Sequence, residues 1–374
     1  MTKTLVPAAL VAAACALGVP RASAADAKSS FGPTDVDKTV DPCQNFYQYA
    51  CGTWLAKNPI PSDEARWGRF NELQQRNEEV LRGILEKASV ADPKRDAIDQ
   101  KIGDYYASCM DEPKANSLGT SPLKADFGAV ATLKTKAELP ALVARLRSHG
   151  VGVFASFESV PDFKDPKNVI ADVDQGGLGL ADRDMYLKDD AHSQEMRKKY
   201  VAHVQKMLVL LGDTEARGAA EAKVIMDLET ALAKASMDRV ARREPANLYH
   251  KMTTKELASL SPAFSWETFF KESGAPAFPS LNVIVPDFVK GMNAVIERTD
   301  VASLKTYLRW HVLSANAPLL SKAFVDQNFD FYGKTMTGAA EIQPRWKRCV
   351  QAVDGDLGDA LGERYVALTF GAEG

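Results

Sequence analysis

The sequence predicts a mainly α protein carrying one small β element. Apolar residues recur three and four positions apart through most of the chain, the period that lines one face of a helix. One stretch, between 151 and 173, instead gathers β-branched residues in two short runs around a Pro/Asp/Lys turn, the pattern of a hairpin. Composition bounds the class further. The 374 residues are 45% hydrophobic, 25% charged and 8% aromatic, globular values that exclude a collagen, a coiled-coil rod or a disordered tail. Lys+Arg 46 against Asp+Glu 49 leaves a net charge of -3, so no single-sign field marks nucleic acid or an anionic membrane as a partner.

The elements follow in chain order. Met1-Thr2-Lys3, an apolar run from Leu5 to Val19 and the small residues Ala22-Ser23-Ala24 read as a secretory signal peptide over residues 1–24. That run is too short for a membrane span, and no later segment is apolar enough to make one. The expected product is exported, periplasmic or extracellular, with no membrane span after cleavage. Residues 25–40 are polar and read as a linker. Asp41-Pro42 has the form of a cap and first helical position, predicting a helix from Pro42 to Cys51. Helices are expected from Glu72 to Ala88, from Asp96 to Cys109 and from Lys136 to His149, the last closed by Gly150. Pro140 is tolerable there only in the first turn.

After the hairpin, Gln175 to Ala181 reads as a Gly-rich loop. Helices resume near Asp190. Val204, Met207, Leu208 and Leu211 mark one apolar face; Val224, Ile225, Leu228 and Leu232 mark the next. Shorter helices are expected from Thr253 to Leu260, Ser265 to Glu272 and Asp287 to Arg298. Two longer ones run from Leu304 to Phe324 and from Ala339 to Leu361, kinked or split at Pro318 and Pro344.

Few motifs carry chemistry. A zinc peptidase of the commonest type needs two histidines one helical turn apart, as in H-E-x-x-H. The five histidines, His149, His192, His203, His250 and His311, are scattered, and none is followed by Glu. Each reads as a surface or core residue, and no metal site is expected in this chain. There is no G-x-S-x-G elbow and no phosphate-binding loop. Asp172-Val-Asp174-Gln-Gly-Gly begins like a calcium loop, but Gly176 fills the fifth position and Arg183 the twelfth, where Glu is needed. Asp182 and Asp184 read as turn or cap residues. The basic clusters Arg239/Arg242/Arg243 and Arg345/Lys347/Arg348 read as solvated helix faces or structural ion pairs. Arg66 stands between Asp63-Glu64 and Trp67-Gly68. A guanidinium beside an aromatic can bind a carboxylate bidentately, which makes Arg66 a candidate substrate ligand.

Beyond the signal, four cysteines remain: Cys43, Cys51, Cys109 and Cys349. An even count in an oxidising compartment suggests disulfides. On a helix from Pro42 to Cys51, the first two would lie ~12 Å apart at ~1.5 Å rise per residue. A disulfide needs Cα atoms within ~7 Å. Cys43 and Cys51 are therefore not expected to join each other, and the chain offers them only Cys109 and Cys349.

Several segments together resemble the neprilysin family of zinc metallopeptidases, which includes endothelin-converting enzyme and bacterial oligopeptidase O. They are Asp41-Pro-Cys-Gln-Asn-Phe-Tyr-Gln-Tyr-Ala-Cys-Gly-Thr-Trp54, Asn58-Pro-Ile-Pro61 and Arg66-Trp-Gly-Arg-Phe-Asn-Glu-Leu73. Gly177-Leu-Gly-Leu-Ala-Asp-Arg-Asp184 resembles the family's G-L-G-L-P loop, with Ala181 where Pro is common. Trp310-His-Val-Leu313, Phe329-Asp-Phe-Tyr-Gly333 and Pro344-Arg-Trp-Lys-Arg-Cys349 complete the set.

The resemblance implies a multi-helical N-terminal lobe over residues 41–374 with a small β-hairpin element. In complete family enzymes this lobe caps a thermolysin-like catalytic lobe across a cavity that admits only peptides. Zinc ligands, catalytic Glu and the Asn-Ala substrate motif belong to the C-terminal half, and this chain stops at Gly374 before that half begins. The resemblance thus implies a truncated chain with zinc as the cofactor of the complete enzyme, and with no catalytic residue and no cofactor of its own.

The resemblance also implies that Cys109 pairs with Cys349, while Cys43 and Cys51 match cysteines that pair with the absent half and are left unpaired. Arg66 matches the position that contacts a peptide's C-terminal carboxylate. The family's second arginine, eight residues on, is Gln74 here. The expected function is the substrate-enclosing lobe of a secreted zinc metalloendopeptidase acting on short peptides, inactive alone. Its partners would be peptide substrate and a separate catalytic lobe. The alternatives are a non-enzymatic peptide- or partner-binding module and the product of an interrupted reading frame.

Overall fold

The computed structural model describes residues 32–370; the expected signal peptide, residues 1–24, lies outside them. The chain falls into two units, one ending at Pro59 and one running from Ile60 onward. In the first, helix α1 spans Phe46–Lys57. It starts four residues later than the Asp41-Pro42 signal suggests. The Asp41 carboxylate accepts the Cys43 N–H at 2.9 Å, and its carbonyl accepts those of Gln44 and Asn45, each at 3.0 Å. Such a side-chain-to-backbone turn competes with helix. Asn45 then caps α1 by accepting the Gln48 N–H at 3.0 Å. Cys43 is thus an exposed turn residue and Cys51 a half-buried helical one; among the described residues neither is in a disulfide. Residues 35–37, within the expected linker, are tied to α1. The Asp37 N–H donates to Tyr49 O at 2.7 Å, and the Thr53 hydroxyl donates to Val36 O at 3.0 Å.

The second unit opens with α2 (Arg69–Ala88), α3 (Ala97–Met110), α4 (Glu112–Leu118), α5 (Lys124–Thr132) and α6 (Leu139–Ser148). Pro140 sits in the first turn of α6, where its missing N–H costs nothing. Strands β1 (Ala155–Asp162) and β2 (Asp165–Gln175) form the expected hairpin. Next come α7 (Arg183–Leu187), α8 (Ala191–Leu210), α9 (Glu215–Ala235), β3 (Lys251–Thr253), α10 (Thr254–Leu260) and α11 (Trp266–Glu272). Then β4 (Ser280–Val283), α12 (Pro286–Arg298), α13 (Val301–Asn316) and α14 (Lys322–Asn328) lead into a π-helical segment, Phe329–Thr337, and finally α15 (Arg345–Thr369). Pro318 separates α13 from α14, and α15 begins directly after Pro344, so both prolines act as the breaks their chemistry predicts.

The β element is larger than a hairpin. The four strands lie in the order β1-β2-β4-β3, with β4 parallel to β2 and β3 antiparallel to β4. Together with Val173, Leu281 and Val283 of this sheet, α6, α8, α9, α12 and α13 build the main core, with Leu139, Val204, Met207, Ile225, Leu232, Phe288 and Trp310 fully buried. A smaller core joins α2, α3 and α15 through Leu85, Ile102, Tyr106 and Val353. It contains the Cys109–Cys349 disulfide, which spans 240 residues of sequence and pins α15 to α3.

A buried carboxylate orders the Gly-rich loop. Glu229 of α9 is fully buried and accepts the hydroxyls of Tyr186 at 2.6 Å and Tyr200 at 2.9 Å. The Tyr186 oxygen in turn accepts the N–H groups of Gly179 and Leu180, at 3.0 and 2.8 Å. The Tyr307 hydroxyl donates to Gly177 O at 2.9 Å, and Trp310 Nε1 donates to the Tyr200 hydroxyl at 3.0 Å. Gly177 has φ +75, and a Cβ at Gly179 would run into the Tyr200 hydroxyl, so the loop needs glycine at both places. Burial pushes the Tyr186 and Tyr200 hydroxyls well above their ordinary pKa, with the Glu229 charge adding to it.

The two cores generate two predictions. Replacing Cys109 and Cys349 with Ser should lower unfolding stability by about 2–5 kcal/mol, read from urea unfolding with and without reductant. Asp172 on β2 is pushed up to about 6 by burial, against an Asn282 hydrogen bond and with Asp174 and Glu158 nearby. The folded state therefore holds this proton more tightly than the unfolded one. The stability that Asp172 contributes should be full below about pH 4 and be lost as the pH rises through about 6. Asp172→Asn should flatten that slope and raise stability at neutral pH by about 1 kcal/mol, measured by urea unfolding at several pH values.

Candidate functional site

The segment before α2 carries Arg66, and a buried ammonium fixes it. Lys347, in the first turn of α15, is only 5% exposed. Its Nζ donates to Asp63 Oδ2 at 2.8 Å and lies 3.6 Å from Glu64 Oε1. Burial pulls the Lys347 pKa down, but the Asp63 hydrogen bond and the charges of Asp63, Glu64 and Glu78 outweigh it and hold it above the ordinary lysine value. Polar contacts extend the latch. Gln343 Nε2 donates to Glu64 at 3.2 Å, and Ser62 and Glu341 exchange two hydrogen bonds, at 2.7 and 2.8 Å. On the neighbouring turn of α2, buried Glu78 accepts from both Gln74 and Gln351, at 3.1 and 2.9 Å.

This latch forms one wall of a groove of about 750 Å³. Arg66, Asn71 and Gln74 line it on the α2 side, while Phe329, Tyr332 and Arg348 line it on the other. The π-helical segment supplies much of that second wall, and such segments gather at functional sites. Tyr332 is anchored there by donating its hydroxyl to Gly179 O at 3.1 Å, which links the groove to the Glu229 network. Among the described residues, Arg66 has no hydrogen bond or ion pair and is exposed at the groove mouth. Asp63 and Glu64 also line the groove, and both face Lys347, whose one charge offsets one of theirs. The arrangement suits an anion held by arginine, with apolar and aromatic surface beside it.

The remaining candidates fall elsewhere. His149 Nδ1 lies 2.9 Å from Asp126, His311 lies 3.4 Å from Glu229, and His192 is an exposed residue of α8. His203 stacks on Phe331, and burial pushes its pKa down to about 3. Among the described residues no three His, Cys, Asp or Glu side chains are grouped to hold a metal. These donors therefore do not fit the zinc that the resemblance implies for a complete enzyme. Asp182 caps α7, and Asp174 pairs with both terminal nitrogens of Arg242, so both serve structure. The structural ion pair that the sequence allowed for Lys347 is present with Asp63, while its latch role, Arg348 in the groove wall and the buried Glu229 were not read from sequence. The last had a visible signal, because Glu229 interrupts the apolar face marked by Ile225, Leu228 and Leu232.

Lys347→Met should leave Asp63 and Glu64 facing each other in a partly buried site. We expect a loss of about 3 kcal/mol in urea unfolding. Limited proteolysis should show faster cleavage between residues 60 and 68; unchanged cleavage would mean the latch does not order this segment.

With the geometry in place, comparison with known proteins is informative. The sequence profile of Peptidase family M13, in its N-terminal part, matches residues 42–374. Endothelin-converting enzyme 1 of Mus musculus is 32% identical over 391 aligned positions, covering 98% of this chain and 50% of that protein. The Mycobacterium tuberculosis zinc metalloprotease Zmp1, solved with an inhibitor, superposes with a TM-score of 0.85 at 32% identity, covering 91% of this chain and 52% of that one. PepO from Lactobacillus rhamnosis, at 17% identity and a TM-score of 0.75, shares the fold. The chain spans about half the length of the relatives it matches. Profile, identity and fold agree over nearly all of the described residues, and the chain belongs to the neprilysin-like peptidase family M13 as its N-terminal helical domain.

Proposed function

We propose that this chain is the substrate-enclosing lobe of an exported zinc metalloendopeptidase acting on short peptides, and that it carries none of the hydrolytic chemistry itself. The groove is the observation that carries this reading: it offers an unpaired arginine and aromatic surface. Its acids Asp63 and Glu64 both face Lys347, which bonds Asp63 and lies 3.6 Å from Glu64. Such a site binds and orients. In this reading zinc and the catalytic Glu belong to a separate catalytic lobe that closes over the groove. Cys43 and Cys51, outside any disulfide among the described residues, would pair with cysteines of that lobe.

A second reading has its own support. Phe70 is 88% exposed and Leu73 52% exposed on α2, beside the groove residues Asn71 and Gln74. An apolar surface of that kind also fits a peptide- or partner-binding module without enzymatic partner.

The purified chain should bind short peptides yet show no chelator-sensitive cleavage of a fluorogenic peptide, with or without added zinc. Chelator-sensitive turnover by this chain alone would refute the non-catalytic assignment. Mass mapping of the protein isolated from its host should find Cys43 and Cys51 bridged to cysteines outside residues 25–374. If both are found as free thiols, the binding-module reading is favoured instead.

A further inference from the structure

Two arginines, Arg66 and Arg348, line the groove. Arg348, in the first turn of α15, is held differently from the half-buried Arg242 and Arg309. Arg242 and Arg309 are both neutralised by carboxylates within 2.8 Å. Arg348 is held by backbone carbonyls instead: its Nε donates to Gln343 O at 3.2 Å and its Nη1 to Pro318 O at 3.4 Å. Carbonyls orient a guanidinium without cancelling its charge. Among the described residues no carboxylate lies within ion-pair distance of Arg348, and its Nη2 has no protein acceptor yet is not sealed from solvent.

The other charges around the groove are committed. Asp63 and Glu64 face Lys347, and Glu64 also accepts from Gln343. Gln74 is neutral, and its amide nitrogen is used by Glu78. The groove is therefore lined by two arginines with no bonded carboxylate among the described residues, one exposed and one pre-oriented. A fork held in place by neutral acceptors loses little freedom on meeting an anion, and is the arrangement that planar carboxylates bind best.

We propose that Arg348 is a second carboxylate anchor of this groove, acting with Arg66 to hold a carboxylate of a bound peptide. The proposal rests on the peptide-binding reading above and adds to it a specificity-determining residue. Three labelled short peptides of one sequence test it by fluorescence anisotropy at fixed ionic strength, using the chain described here. One carries a free C-terminal carboxylate, one a C-terminal amide, and one an amide after a terminal Glu.

The wild-type chain should bind the free acid about tenfold more tightly than the plain amide, as expected for one charge-assisted pair. Arg348→Gln should abolish that ratio while leaving affinity for the plain amide unchanged, and Arg348→Lys should recover part of it. A merely structural role would weaken all three peptides alike and lower the melting temperature. Binding of the Glu-amide peptide as tightly as the free acid supports the proposal with a side chain as the source of the carboxylate; its failure to do so, with the acid preference intact, supports the terminus. If Arg66→Gln loses the acid preference and Arg348→Gln keeps it, Arg348 is not an anchor and the peptide-binding reading stands. If the wild-type chain binds none of the three peptides, both fall together.

Discussion

The groove exists because one ammonium is buried where two acids can reach it. Desolvating a lysine is expensive, and the expense is offset only by close, hydrogen-bonded partners. Lys347 has that partner in Asp63, with Glu64 and Glu78 adding their charge. The consequence is geometric as well as energetic. The segment before α2 is otherwise irregular chain, yet it is held against α15 by Lys347, by Gln343 and by the Ser62–Glu341 pair. Arg66 follows directly on that latched segment, so its backbone is fixed while its guanidinium stays free.

A second buried charge holds the opposite side. Among the described residues no Lys or Arg pairs with Glu229, though His311 lies 3.4 Å away; tyrosine hydroxyls and a loop N–H supply its hydrogen bonds. Three of the four residues from Gly177 to Leu180 are drawn into this network through Tyr186, Tyr307 and Tyr332. Tyr332 belongs to both the network and the groove wall. The π-helical register around it brings Phe329 and Tyr332 to that wall together, and Gly333 leaves room for the Phe329 ring to lie over the backbone. The groove is thus bounded by two polar networks with opposite logic, a cation among acids and an acid among hydroxyls.

Much of this fold could be read from sequence, and the exceptions have physical causes. Long amphipathic segments such as α8 and α12 announce themselves by period, and Pro318 and Pro344 end helices wherever they fall. Strands β3 and β4 have three and four residues, too few for alternation to show, and β4 joins β2 only through long-range pairing. The start of α1 was misplaced because the Asp41 side chain makes a turn with the following backbone that mimics a cap. Arg66 was visible as an unusual neighbour of Trp67. Lys347 and Arg348 were not, because adjacent basic residues on a helix look alike until packing buries one and turns the other into a cavity.

That divergence of two neighbouring cations also explains what the groove is suited to do. Lys347 commits its charge to structure by holding Asp63 and Glu64. The charge left over is positive and comes from arginines, groups that do not exchange protons near neutrality. Such a surface can fix the register of a bound anion. Positioning without chemistry is useful only if the reacting groups arrive on something else, because binding energy raises a rate only when it is applied at the bond that breaks. Under the function proposed above, the physical character of the groove assigns the grip to this lobe and the reaction to another.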